Sequence, residues 1–149
     1  MKFSTRTRYG LKAVLVLAMR YGEGSLSVSH IAKKEGISTH YLEQILNALK
    51  KKGIVKSVRG PQGGYALSQK PAEMTLDKLF DVFEGSDGSM PRSAASESDE
   101  IGVGASLFWQ KFEGAIQNGL SKVTLKDLVD EARRVKKTAS RVSNSTFHI

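Results

Sequence analysis

Apolar residues recur at helical spacing in several stretches of this chain. From about Thr5 to Tyr21, Leu11, Val14, Leu15 and Ala18 hold the i, i+3, i+4 and i+7 positions of one face, and Gly22 and Gly24 close the run. Ser27 can cap a short second helix through Glu35, with Val28, Ile31 and Ala32 turned inward until Gly36 stops it. Ser38 opens a third helix from Thr39 to Lys52, with Leu42, Ile45, Leu46 and Leu49 inward and Gly53 behind it. Thr75 opens a fourth, repeating Leu76, Leu79, Phe80 and Phe83 before Gly85. Four apolar faces in so short a span need one another, so residues 1–84 are expected to share one small core.

Between the third and fourth helices the pattern changes. Ile54–Arg59 and Tyr65–Leu67 read as two short strands, joined by the turn-forming run Gly60-Pro61-Gln62-Gly63-Gly64. From Gly85 to about Gly104 the residues are small, polar and acidic without periodicity, which predicts a mobile loop. A further helix is expected from Ala105 to Leu120, with Phe108, Phe112, Ala115, Ile116 and Leu120 on one stripe and Trp109 beside it. Thr124 with Asp127 forms a [ST]-x-x-[DE] start that leads into Leu125, Leu128, Val129 and Ala132. Arg133 onward is basic and then Ser/Thr-rich, and reads as a flexible tail.

Charge changes this picture because it is segregated. Residues 1–70 hold 13 Lys/Arg against three Asp/Glu, a net +10, whereas residues 71–149 hold 10 against 12, a net −2. A polyanion facing the N-terminal half explains that division. The 149 residues contain no cysteine, which removes disulfides, thiolate zinc sites and cysteine nucleophiles. No apolar run approaches the roughly 20 residues of a membrane span, and no signal peptide is legible, so a cytoplasmic protein is expected. No Ser/His/Asp spacing, metal cluster or nucleotide-binding loop emerges, so the chain does not read as an enzyme.

The order helix, helix, four-residue turn, helix, hairpin is that of a winged helix-turn-helix: a mostly α fold with a small β-hairpin wing. In that motif the N-terminal part of the second helix of the pair reaches base edges in the major groove. Here that part carries Ser38, Thr39, His40, Tyr41 and Gln44, and glutamine suits adenine. Lys50, Lys51 and Lys52 close the same helix as candidate phosphate contacts, although a solvated helix end stabilised by the macrodipole would look the same. In the wing, Arg59 is a natural minor-groove probe, and the Gly60, Pro61, Gln62, Gly63, Gly64 turn permits close backbone approach.

Ser4-Thr5-Arg6-Thr7-Arg8-Tyr9-Gly10, Tyr41-Leu42-Glu43-Gln44-Ile45-Leu46 and Val58-Arg59-Gly60-Pro61-Gln62-Gly63-Gly64-Tyr65 resemble one family. It is the winged-helix transcriptional repressors of the iron–sulfur cluster regulator (IscR) and the cysteine-metabolism repressor (CymR). The resemblance resumes at Trp109 and at Thr124-Leu125-Lys126-Asp127-Leu128. It implies a homodimer joined by a long helix, here with Phe108, Trp109, Phe112, Ile116 and Leu120 at the interface. It also implies that Arg8, Gln44 and residues 38–40 face DNA, with Arg59 and its neighbours at the minor groove. The expected organisation is a DNA-binding domain over 1–84, a loop in the family's sensor position over 85–104, a dimerisation helix and a short helix over 105–134, and a basic tail over 135–149.

Cluster-binding members of that family carry three cysteines ahead of the dimerisation helix, and residues 92–106 here offer none. His30, His40 and His148 lie elsewhere, and a hard-ligand metal site from Glu97, Asp99 and Glu100 is the weaker alternative. No cofactor is therefore expected in this chain. Two readings stay open. One is a naturally cysteine-free repressor, signalled through a regulatory partner protein or a metabolite. The other is a cluster sensor whose cysteines have been replaced, with Ala94, Ala95 and Ala105 as the positions to suspect. Either way the expected function is a sequence-specific, DNA-binding repressor in iron–sulfur, cysteine or redox-stress control. A winged helix that binds nucleic acid without sequence preference is the alternative.

Overall fold

The structure is a computed structural model that describes residues 3–84 and 99–146. Helix α1 (Thr5–Met19) starts at Ser4, whose hydroxyl accepts from the Thr7 N–H at 3.1 Å. Helices α2 (Val28–Glu35) and α3 (Thr39–Lys51) begin in the same way at Ser27 and Ser38. Each serine satisfies one of the N–H groups a helix start leaves without a partner. Strands β1 (Val55–Val58) and β2 (Gly64–Leu67) pair antiparallel, Val55 opposite Leu67 and Val58 opposite Gly64. A 3₁₀ turn (Pro71–Glu73) leads into α4 (Leu76–Glu84), followed by α5 (Glu100–Leu120) and α6 (Leu125–Thr146).

The core forms where the apolar faces of α1 to α4 meet: Val14, Ile31, Leu42, Leu46, Leu49 and Met74 are almost wholly out of solvent. Leu125 and Val129 at the start of α6 belong to the same core. A short bridge explains their arrival. Thr75 and Thr124 pair antiparallel, with the Leu76 N–H donating to Val123 O and the Leu125 N–H to Met74 O. The N-terminal ends of α4 and α6 are thereby held side by side. In α6 the expected capping box is present: the Thr124 N–H donates to Asp127 Oδ2, and the Asp127 N–H to Thr124 Oγ1. The Thr124 N–H above all, and then the Thr124 hydroxyl, hold the Asp127 carboxyl below its ordinary pKa.

Two boundaries differ from expectation. Helix α5 begins at Glu100, not Ala105, because the Asp99 side chain caps it by accepting from the Gly102 N–H at 2.9 Å. Residues 100–104 are thus helix and not loop; Gly102 and Gly104 had concealed this, and 85–98 lie outside the described residues. The basic segment is not a loose tail. Helix α6 continues without a break through Thr146, since Ala, Arg and Lys favour helix and neither Gly nor Pro interrupts the run. Residues 147–149 lie outside the described residues.

Candidate nucleic-acid interface

The angle between α2 and α3 is set by their turn. Gly36 adopts a left-handed φ of 65°, which ends α2 without strain. The Ile37 N–H donates to Ala32 O at 3.0 Å, and its side chain is buried between the helices. With Leu42, Ile45, Leu46 and Leu49 inward, α3 presents Thr39, His40, Glu43, Gln44, Asn47, Lys50 and Lys51 to solvent. His40 and Gln44 lie 3.3 Å apart at their Nε2 atoms, so the glutamine amide can donate to an imidazole protonated on Nδ1. The two side chains form one polar surface.

Two residues of the expected set have work inside the fold. Ser38 accepts from the Tyr41 N–H, which leaves its hydroxyl proton as the group free to meet a phosphate. Tyr41 is half-buried, with its ring edge-on to Tyr9 at 6.0 Å, so it joins the start of α3 to α1. Arg8 is exposed one residue before Tyr9 on α1. Arg6 was missed as a site residue. It lines a groove of about 430 Å³ with Gln44, Asn47, Lys51 and Lys52, where cations from two helices meet the outer face of α3.

Asn47 was also missed, although its place three residues after Gln44 on one helical face was the available signal. Its Oδ1 accepts from the Tyr65 hydroxyl at 3.3 Å, and this bond ties α3 to the wing. The wing is tied a second time. Leu26 and Tyr65 exchange two backbone hydrogen bonds, Leu26 N–H to Tyr65 O at 2.9 Å and the reverse at 2.8 Å, and the Ser25 hydroxyl donates to Gln62 O. Arg59, Gly60, Pro61 and Gln62 lie exposed in the turn, whereas Gly63 and Gly64 are half-buried. A Cβ on Gly64 would stand 2.0 Å from Leu26 O, so this glycine is required by the fold before any DNA contact.

The second half of the chain has a different surface. Among the residues of α5 only Gly102 is buried. Phe108 is 59% exposed, with its ring stacked near Phe112 and edge-on to Trp109. Trp109, Phe112, Ile116 and Leu120 are half-buried, because α5 lies against α4, where Gln117 Nε2 donates to Asp81 Oδ1 at 2.8 Å. Ile101 extends this stripe toward the start of α5, and Leu107 is exposed outside it.

Comparison with known proteins gives one answer. Residues 3–131 match the model of the Rrf2 family, described as iron-dependent transcriptional regulators. The HTH-type transcriptional regulator CymR of Bacillus subtilis (strain 168) is 37% identical over 128 residues, 86% of this chain and 89% of that protein. IscR of Photorhabdus laumondii is 33% identical over 147 residues, covering 97% and 88%. The solved structure of CymR, described as the global cysteine regulator of B. subtilis, superposes with a TM-score of 0.71 at 36% identity, covering 88% of this chain and 98% of that one. The donors available here do not fit a cluster held by thiolates, since no position in the sequence is cysteine. Among the described residues no group of three or more His, Asp or Glu is placed to hold a metal ion, and the Asp99 carboxylate is engaged as a helix cap. No helix among them is long and apolar enough to cross a membrane. With its winged-helix fold, its basic N-terminal half and relatives that are transcriptional regulators, the chain belongs to the Rrf2 family and is a DNA-binding transcriptional regulator.

Proposed function

We propose that the chain acts as a homodimeric, sequence-specific repressor whose regulation does not run through a thiolate-held cluster. The observation that carries the reading is the polar row His40, Gln44 and Asn47 on α3, fixed to the wing by Tyr65 within a half-chain of net charge +10. Thr39, His40 and Gln44 read base edges in the major groove, and Arg59 reads the minor groove with Gly60, Pro61 and Gln62 beside it. Arg8, the Ser38 hydroxyl, Lys50 and Lys51 neutralise phosphates, and Arg6 and Lys52 join them. Tyr41, Gly63 and Gly64 serve recognition by holding the reading elements in place.

The α5 face supports dimerisation. A helix of 21 residues with one buried residue, and with Ile101 and Phe108 exposed, hides its apolar side when a two-fold mate covers it. The half-buried Trp109, Phe112, Ile116 and Leu120 complete that face. Of the signals linked to the relatives, cysteine or sulfur status fits this donor set better than iron–sulfur status. It would arrive through a partner protein or a small molecule.

The test is selection of an operator from random duplexes, followed by titration of variants on that operator and on random DNA. Arg59→Ala and Gln44→Ala each cost ~1–3 kcal/mol on the operator and relax sequence preference. Lys50→Gln weakens both duplexes alike and lowers the salt slope by about one unit. Equal losses on operator and random DNA for the Arg59 and Gln44 variants would reassign these residues to phosphate binding. A wild-type preference for its selected operator far below ~10³-fold would leave a non-specific winged helix.

A further inference from the structure

Residues 132–146 contain five cations (Arg133, Arg134, Lys136, Lys137 and Arg141) and no acid. They form the last two thirds of α6, and every side chain described from Asp130 to Ser145 is exposed. At 3.6 residues per turn the five cations fall within an arc of about 160°, with Val135 and Ala139 on the opposite side. Arg133, Arg134, Lys136 and Lys137 line a common surface depression with Ser140. Helix-dipole compensation does not account for them, because the last turn of α6 holds no basic residue. Arg134 pairs with Glu131, and an Arg133 Nη donates to Met19 O at the end of α1. Among the described residues, Lys136, Lys137 and Arg141 have no ion-pair or hydrogen-bond partner for their charged groups.

We propose that this face of α6 is a second, sequence-independent DNA contact, binding the phosphate backbone of the duplex that α3 and the wing hold. The inference rests on the DNA-binding reading above and extends it to a surface outside the helix-turn-helix and wing. The Arg133–Met19 bond anchors the root of the basic face where α1 ends. The chain running on from there supplies Ser25 and Leu26, which hold the wing. The basic face is thus rooted at the end of α1, six residues along the chain from Ser25. On the DNA-binding reading the same molecule already holds a strong polyanion, so the local phosphate concentration favours this occupant over a separate acidic protein. Lipid is the poorer fit, since Val and Ala replace the Trp, Phe and Leu that anchor an interfacial helix.

The test is the salt dependence of binding to a random-sequence duplex of roughly 40 base pairs, long enough to offer phosphates beyond the reading elements. The full-length chain is compared with its Lys136→Gln/Lys137→Gln/Arg141→Gln variant. Glutamine keeps the helix, which far-ultraviolet circular dichroism verifies. With three phosphate contacts on each protomer the variant's slope of log K against log salt is shallower by about 2.7 units per bound protomer, so a fourfold rise in salt costs the wild type ~40-fold more affinity than the variant for each protomer on the duplex. The preference for operator over random DNA is unchanged. An unchanged slope overturns the proposal. So does a lower assembly mass for the variant, which would assign the face to a second copy. Loss of phosphatidylserine-vesicle binding with the DNA slope intact would assign it to lipid. If the wild type binds no duplex at all, the DNA reading itself fails. If Arg59→Ala and Gln44→Ala behave as expected while the triple variant does not, only the α6 contact fails.

Discussion

Gly64→Ala is the most direct test of how the wing is held. An added methyl carbon would stand 2.0 Å from Leu26 O, 2.4 Å from its carbonyl carbon and 2.8 Å from Ser27 N, all of them backbone atoms. Backbone cannot swing aside as a side-chain tip can, so the Leu26 segment and β2 must separate. Their separation breaks the two hydrogen bonds that Leu26 and Tyr65 exchange. At about 0.5–1.5 kcal/mol each, the loss is ~1–3 kcal/mol of stability. Tyr65 also bonds Asn47, so its displacement releases the wing from α3, and operator affinity falls although residue 64 reads no base. Urea unfolding followed by circular dichroism gives the stability change, and fluorescence anisotropy on a labelled operator gives the affinity. Gly60→Ala is the control for the stability measurement. A Cβ at that position meets nothing within 4 Å, and the penalty there comes only from a φ of +115° in an exposed turn. A Gly64→Ala protein that matches the wild-type urea midpoint would refute the close-approach argument. A protein of unchanged midpoint but lost DNA binding would return Gly64 to direct contact.

Phe112→Asp places a carboxylate in the α5 face, and burying it unpaired costs several kcal/mol, so association should weaken by at least ~10²-fold and operator binding with it. Sedimentation of the wild type as a monomer at micromolar concentration would defeat that expectation. Asp127→Asn should lower the unfolding midpoint at neutral pH by removing the carboxylate that accepts from the Thr124 N–H. The folded pKa of Asp127 lies below its ordinary value of 3.8, so the carboxylate stabilises the fold above that pH and ceases to do so as pH falls through the lowered value. The gap between the two proteins should therefore close in acid, and a gap independent of pH would contradict the capping role.

Periodicity made the N-terminal half legible because its helices announce both ends. Ser27 and Ser38 cap, Gly36 and Gly53 stop with left-handed φ, and the four inward positions read on α3 are all buried, whereas on α1 Leu11 and Leu15 are half-buried and Ala13, Val16 and Leu17 are buried beside Val14 and Ala18. Asn47 was harder to see. Its contribution depends on Tyr65, 18 residues away, and the pairing exists only once β2 is placed against Leu26. Composition misled at α5 and α6. Gly102 and Gly104 suggested loop where one side chain, Asp99, suffices to start the helix. The Arg/Lys-rich end of α6 suggested a tail because it has no apolar face broad enough to bury, yet helix propensity and an anchored Leu125 sustain it.

The same comparison separates two properties that the family description joins. Every residue assigned to reading DNA lies between Arg6 and Gly64, and its supports (Ser25, Leu26, Tyr9 and Tyr65) lie within the same domain. None lies in residues 92–106, the stretch that the family resemblance makes the sensor position. A winged helix can therefore keep its DNA-reading geometry after every thiol has gone, because that geometry is held by backbone pairing and buried aliphatic contacts. With no cysteine in the sequence, a thiolate-held cluster cannot act on the relation between the domain and α5. The links present between those two parts are ordinary hydrogen bonds and packing, such as Gln117 on Asp81, whereas the Thr7 hydroxyl bond to Glu84 joins the end of α4 to the start of α1. Bonds of this strength, each worth about 1 kcal/mol, are within the reach of a small effector or a docking protein to shift, and no redox chemistry is needed to do so.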